Sequence, residues 1–262
     1  KEIMSEKKEP EKNITEKKST DVTIASAFEV DAGSGLENMT ADDFTIPRLK
    51  ILQALSPEVN TRDGKHIEGA VSGDITNTVT KQLYTEKNPC IVLPVAYKRM
   101  YLEWGPRESG GGLVKQHMDA SILNETTKDS SYADVLPNGN YIQTSATHYV
   151  LILEGDSFQQ AMIPMAGTQL KRSRTWNSVM SSIKVKGSSG NVFTPPSYSH
   201  KYKLTTVPES NDRGQWFGWN VETVGPITES EMHLYEAAKF FANTVTADAP
   251  VAKEVSTDEA PF

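Results

Sequence analysis

The sequence has one cysteine, no long apolar run and no dense set of metal-binding side chains, and each absence excludes a class of protein. The single cysteine, Cys90, excludes an internal disulfide framework and fits a reducing compartment. The longest apolar runs, such as Ile91 to Ala96, are far shorter than the ~18 residues that a membrane helix needs. The segment from Lys1 to Lys18 alternates lysine and glutamate and lacks the apolar core of a secretory signal. We therefore expect a cytoplasmic protein with no membrane partner.

Side chains that can carry catalysis are present but are not grouped. The 5 histidines are dispersed, and none shows the His-x-x-x-His spacing that binds zinc from one helix. His117 and Asp119 form an isolated pair, and Cys90 has no histidine near it in the sequence. No serine lies in a Gly-x-Ser-x-Gly turn. We expect no catalytic residue, no metal and no cofactor, and hence a protein that is not an enzyme.

The formal net charge of −7 argues at first against a polyanionic partner, but the charges are unevenly distributed. Lysines and acids nearly cancel in residues 1–25, and the segment from Asp248 onward is acidic apart from Lys253. Between Ala166 and Thr206 the chain has no acidic residue and carries 7 cations. These are Lys171, Arg172, Arg174, Lys184, Lys186, Lys201 and Lys203. This stretch predicts a surface that binds a polyanion.

Three segments differ in composition. Residues 1–40 predict a disordered charged arm and residues 245–262 a disordered acidic tail, because both have too few large apolar residues to form a core. Residues 41–244 predict a β-rich body with helices, of the α+β class. An OB-like antiparallel barrel elaborated with helices fits this pattern, and a sandwich or another α+β sheet fits almost as well. Thr228 to Glu231 is a capping box that predicts a helix reaching about Asn243.

The strongest strand signal runs from Ile91 to Trp104. Its even positions predict a core face, and its odd positions present Tyr97, Arg99 and Tyr101. Two aromatic rings with a cation between them are typical of a surface on which nucleic-acid bases stack. Cross-strand pairing on a solvated sheet explains the same row about equally well.

A change to helical periodicity predicts a basic helix over residues 167–184, with Trp176 among its apolar positions. Its cations could bind a phosphate backbone, or they could form a solvated face while Trp176 packs into the sheet. The glycine-rich segment 105–112 lacks the spacing of a phosphate-binding loop and predicts a flexible hairpin with Arg107 at its base. Lys186 to Asn191 is interpreted as a Gly-Ser linker.

The last residues form an acidic segment followed by an apolar tip. Asp258, Glu259, Pro261 and Phe262 resemble the C-terminal tip of bacterial and phage single-stranded DNA-binding proteins. In that family the terminal Phe enters a pocket on a partner, and basic residues of the partner bind its carboxylate. The segments 46–50 and 104–112 resemble parts of phage-encoded proteins that lie among replication genes. The resemblance implies a location in the host cytoplasm and recruitment of polymerase, helicase or nuclease through the tail.

Together these signals predict sequence-independent binding of single-stranded DNA in phage replication or recombination. The residues expected to contact DNA are Tyr97, Lys98, Arg99, Tyr101, Arg107, Lys171, Arg172, Arg174, Lys201, Tyr202, Lys203 and Trp216. A single-strand annealing protein or a non-enzymatic virion or host-interaction protein are the alternatives. The sequence leaves the oligomeric state open, and the chain could form a homo-oligomer.

Overall fold

The structure is a computed structural model that describes residues 28–32, 34–35, 37–38, 45–106, 110–212 and 214–246. The chain divides into two units, Lys1–Thr40 and Ala41–Phe262. In the first unit the described residues form one helical turn at 28–30 followed by turns.

The described part of the second unit consists mainly of strands with two α-helices. The strands before the first helix are β1 (Leu49–Ile51), β2 (Ile75–Asn77), β3 (Leu83–Tyr84), β4 (Cys90–Trp104), β5 (Leu113–His117), β6 (Thr127–Lys128), β7 (Asp134–Val135), β8 (Tyr141–Glu154) and β9 (Ser157–Ala166). The later elements are α1 (Gln169–Ser182), β10 (Val185–Lys186), β11 (Val192–Phe193), β12 (His200–Asn211), β13 (Gly214–Pro226) and α2 (Met232–Thr246). Short 3-10 helices lie at Pro57–Val59, Ala120–Glu125, Ser197–Ser199 and Glu229–Glu231.

The main sheet is antiparallel and follows the order β13-β12-β4-β8-β7-β6, with β5 paired to β4 and β9 paired to β8. The sheet curls into a half-barrel. The prediction of a mainly β fold with helices and an antiparallel sheet is therefore confirmed. β8 and β9 form an antiparallel hairpin, and the Thr228–Glu231 capping box precedes α2 as expected. No helix among the described residues is long and apolar enough to cross a membrane.

A β-bulge in β4 corrects the predicted faces of this strand. The register with β8 shifts between Pro94 and Ala96, so one extra residue separates the two halves of the strand. Val92 therefore faces the same side as Tyr97, although strict alternation would place the two side chains on opposite sides. A bulge depends on pairing with the neighbouring strand, and for this reason alternation within one strand does not reveal it.

The two faces of the sheet are covered by different elements. Inside the curl, apolar side chains of β4, β8, β9, β12 and β13 pack with those of α1 and of the small β1–β2–β3 sheet. On the other face, α2 packs Leu234, Ala238 and Phe241 against Leu93 and Leu151. One side of α2 is thus buried against this face of the sheet.

Two glutamines help to close the open side of the half-barrel. β1 contacts both β9 and β13, the strands at opposite sides of the curl. Gln53, just after β1, exchanges two hydrogen bonds with the backbone of Phe217 at 2.8 and 3.0 Å. The side-chain oxygen of Gln169, the first residue of α1, accepts a hydrogen bond from the Trp219 amide at 2.9 Å. Side-chain amides thus satisfy backbone groups that would otherwise be left exposed on β13.

Candidate nucleic-acid interface

Helix α1 is anchored inside the half-barrel by a stack of rings. Trp176 is 2% exposed, and its ring stacks on His148 with centroids 4.4 Å apart. The ring of Tyr202 meets Trp176 edge-on at 5.6 Å. Ser173 Oγ lies 2.8 Å from His148 Nε2, and burial lowers the pKa of His148 to about 3. The imidazole is therefore neutral at physiological pH and serves to position the helix.

Tyr97 and Arg99 lie beside this anchor on the same face of β4. The Tyr97 ring is 5.1 Å from His148 and 38% exposed, so one part packs against the anchor and another faces solvent. The Arg99 side chain is also exposed. Hydrogen bonds with the hydroxyls of Tyr97 and Tyr101 raise the pKa of Arg99. The guanidinium is thus positioned by two tyrosine hydroxyls, and its positive charge remains available to a phosphate.

Two tyrosines predicted to stack on bases belong to the core instead. Tyr101 is 6% exposed and packs with Leu136 and Ile142, where its hydroxyl helps to position Arg99. Tyr202 is 1% exposed, and burial raises its pKa. Neither ring can reach a base in this fold. The sequence did not reveal this because the covering residues come from distant elements.

Three of the cations predicted to bind phosphates are paired with carboxylates. Arg172 binds Glu209 at 2.7 Å, Lys201 binds Glu231 at 2.6 Å, and Lys203 binds Glu222 at 2.7 Å. Hydrogen bonding to Lys201 is the main reason why the pKa of Glu231 falls to about 2. All three glutamates lie outside the acid-free stretch, so their pairing with it could not be read from local sequence. These three cations act in the protein's own ion pairs.

The other four cations of the stretch remain exposed. Lys171 and Arg174 lie on the outer side of α1, and Lys184 and Lys186 follow the helix. None of these four has a carboxylate partner among the described residues. The sequence has no acidic residue between Asp156 and Glu209, so no acid of that stretch neutralises them.

The remaining predicted contacts fall in different places. Lys98 lies between Tyr97 and Arg99 in β4, and its side chain is therefore on the opposite face of the sheet. Trp216 is half-buried, and its indole donates a hydrogen bond to Glu209 at 2.8 Å. The structure thus places Tyr97 next to the His148 ring on which Trp176 of α1 stacks, and the exposed side of this helix carries Lys171 and Arg174. Arg107 and the tail residues Asp258, Glu259, Pro261 and Phe262 lie outside the described residues.

A carboxylate–imidazole pair on β4 and β5 was missed by the sequence analysis. Glu103 is 7% exposed and lies 2.7 Å from His117 Nε2. Asn140 donates a second hydrogen bond to Glu103 at 2.6 Å, and the bonds from Asn140 and His117 lower the pKa of Glu103. Within the described ranges, no cluster of three or more histidine, cysteine or acidic side chains could hold a metal ion. The contact between Glu103 and His117 links β4 to β5.

Comparison with known proteins identifies the family of this chain. The family model of the Pam3 phage gp34-like protein matches residues 16–250. Since that range covers most of the 262 residues, the chain belongs to the Pam3 phage gp34-like family, a family of phage proteins. No curated protein and no solved structure matches it.

Proposed function

We propose that this phage protein binds single-stranded DNA without sequence preference during phage replication or recombination. The observation that carries the proposal is the exposed Tyr97–Arg99 pair beside α1, whose outer side bears Lys171 and Arg174 without carboxylate partners among the described residues. Stacking surfaces next to unpaired cations are the two parts that non-specific single-strand binding requires. The curled antiparallel sheet is compatible with an OB-like barrel, which is a common fold for this activity.

In this proposal each group has a separate role. The exposed part of the Tyr97 ring stacks on a base, which requires no base-specific hydrogen bond. Arg99, Lys171 and Arg174 bind phosphates, and each contact releases counterions from the nucleic acid. Affinity therefore depends strongly on salt and little on sequence. An unpaired strand is favoured over a duplex because only its bases are free to stack.

The test is binding of fluorescent oligo-dT and of duplex DNA of equal length at low and high salt. We expect salt-sensitive preference for the single strand. Tyr97→Ala should weaken oligo-dT binding about 5- to 150-fold, the equivalent of one lost base–aromatic contact. Arg99→Gln should lower the slope of log affinity against log salt by about 0.7. Phe240→Ala, on the outer side of α2, and Arg62→Gln are exposed controls that should leave binding unchanged.

The outcomes separate the proposal from its alternatives. Equal affinity for duplex and single-stranded DNA would indicate general phosphate binding without base stacking. No binding at low salt would refute the proposal and favour a virion or host-interaction role. Rapid pairing of complementary strands by a large oligomer would instead identify a strand-annealing protein, which uses the same surface.

We further propose that the acidic segment containing Asp258, Glu259, Pro261 and Phe262 recruits replication proteins such as a polymerase, helicase or nuclease. This proposal is supported by the sequence resemblance alone, because the segment lies outside the described residues. Phe262→Ala should leave oligo-dT affinity unchanged and reduce co-purification of the partner. Loss of DNA binding in that variant would contradict this division of roles.

A further inference from the structure

We infer that the β10–β11 hairpin is a second contact for single-stranded DNA, in which Phe193 stacks on a base and Lys184 and Lys186 bind phosphates. The inference rests on the proposed function and assigns a role to residues that sequence analysis interpreted as a linker. It corrects that interpretation, because Lys186 begins one side of a tight turn and pairs with Val192 in the antiparallel hairpin.

The hairpin exposes apolar side chains that no other sheet covers. Its two strands pair only with each other among the described residues. Val192 is 66% exposed, Phe193 42% and Val185 37%. An isolated two-stranded hairpin is only marginally stable in water, and exposed apolar groups on it gain free energy when a partner covers them. These features point to a surface that is completed by a ligand.

The Phe193 ring lies close to Gly187 and is partly exposed to solvent. A Cβ atom built at Gly187 would lie 3.4 Å from Phe193 Cε1 and 2.6 Å from Asn191 Oδ1. Since Gly187 has no Cβ, the ring can lie across the opposite strand of the hairpin. The ring thus lies close to Gly187 at Cε1 and keeps part of its surface exposed, and an exposed aromatic surface is what a stacking base needs.

The charge of the hairpin fits a polyanion. Lys184 Nζ is bonded to neutral oxygen atoms, Thr194 Oγ1 at 2.5 Å and the Ser181 carbonyl at 3.5 Å, so its charge is not neutralised. Lys186 has no carboxylate partner among the described residues. Three exposed apolar side chains offer little area for insertion into a lipid surface, whose binding grows with the apolar area buried. A nucleic acid supplies both phosphates and flat bases. It therefore fits the lysines and the exposed apolar side chains of the hairpin better than a lipid surface does.

The hairpin is also placed to continue the Tyr97–Arg99 surface. It directly follows α1, whose outer cations are Lys171 and Arg174. After the hairpin, Ser197 Oγ donates a hydrogen bond to the carbonyl of Val95 at 3.2 Å, only two residues before Tyr97. The chain before the hairpin is therefore attached through α1 to His148, and the chain after it is attached to β4, the strand that carries Tyr97 and Arg99.

The experiment compares oligo-dT binding by the full chain and by hairpin variants at several salt concentrations. Phe193→Ala should weaken binding about 5- to 150-fold, and Phe193→Trp should retain affinity and report stacking as quenched fluorescence. The double variant Lys184→Gln/Lys186→Gln should lower the salt slope by about 1.4. Phe240→Ala and Lys87→Gln/Lys239→Gln are the matched controls, and thermal unfolding of each variant checks that the fold is retained.

Three results would overturn the inference. If the wild type binds oligo-dT and the hairpin variants bind equally well, the hairpin plays no part while the proposed function stands. If the wild type does not bind oligo-dT at all, both fail together. If Phe193→Ala instead abolishes co-sedimentation with anionic phosphatidylserine vesicles and leaves DNA binding intact, the hairpin is a membrane contact.

Discussion

The inner and outer sides of α1 each carry an arginine, but the two arginines have different surroundings. Arg172 and Arg174 are two residues apart, yet Arg172 is paired with Glu209 and Arg174 is exposed without a carboxylate partner among the described residues. The inner side also contains Trp176 and Ser173, which lock the helix to His148. Basic residues in one helix therefore divide into an anchoring set and an available set. The two sets differ because the inner side faces the sheet, where Glu209 lies, and the outer side faces solvent.

The largest expected effect is on the inner side, at Trp176. Trp176→Ala should lower the free energy of unfolding by about 3–5 kcal/mol, because it leaves a cavity between His148 and Tyr202. Urea denaturation measures this loss. Any fall in DNA affinity should follow the unfolded fraction. A loss below about 1 kcal/mol would show that α1 is not anchored through this ring.

A smaller effect is expected from titration of His148. Burial lowers its pKa to about 3, below the ordinary value of ~6.5. Between these two pH values, His148 is protonated in the unfolded chain and neutral in the folded chain. The stability that the neutral imidazole contributes is complete above pH ~6.5 and is lost as the pH falls toward 3. Lowering the pH from 7.5 to 5 should therefore reduce the free energy of unfolding by about 2 kcal/mol through this group alone.

His148→Gln removes this titration, so its free energy of unfolding should change less over the same pH range. Urea denaturation at both pH values gives the comparison. His233→Gln, on the exposed side of α2, is the matched control and should behave like the wild type. Identical pH dependence in His148→Gln and the wild type would contradict the buried neutral state.

The smallest effects separate the two arginines directly. Arg172→Gln should lower stability by about 0.5–1 kcal/mol, a value reduced by solvent screening of the half-exposed Glu209 pair, and should leave the salt slope of binding unchanged. Arg174→Gln should leave stability unchanged and lower the salt slope by about 0.7. Denaturation and oligo-dT titration of both variants give the four values. If the two variants behave alike, the division of α1 into two sides is refuted.

Much of the secondary structure could be predicted because its signals are local. The β8–β9 hairpin, the basic helix and the capping box at Thr228 each depend on residues within a few positions of one another. These patterns survive folding because the tertiary structure agrees with them.

The site was predicted less well because it depends on partners that are distant in sequence. Tyr97 and Tyr101 have equivalent positions in one strand, yet Tyr97 is exposed and Tyr101 is covered by the segment after β5. The bulge after Pro94 placed Tyr97 next to His148 and therefore next to α1. No feature near Tyr97 in the sequence indicates that it lies next to His148 or α1.

The sequence alone determined the mainly β character of the body, the single basic stretch and the order of its strands and helices, since each follows from composition and short-range periodicity. Tertiary structure alone decided which of the seven cations stay available, because Glu209, Glu222 and Glu231 reach Arg172, Lys203 and Lys201 only once the chain has folded. It also turned a Gly-Ser segment into an exposed hairpin. Charge is a property of each residue, but its availability depends on which groups folding brings within a few ångströms.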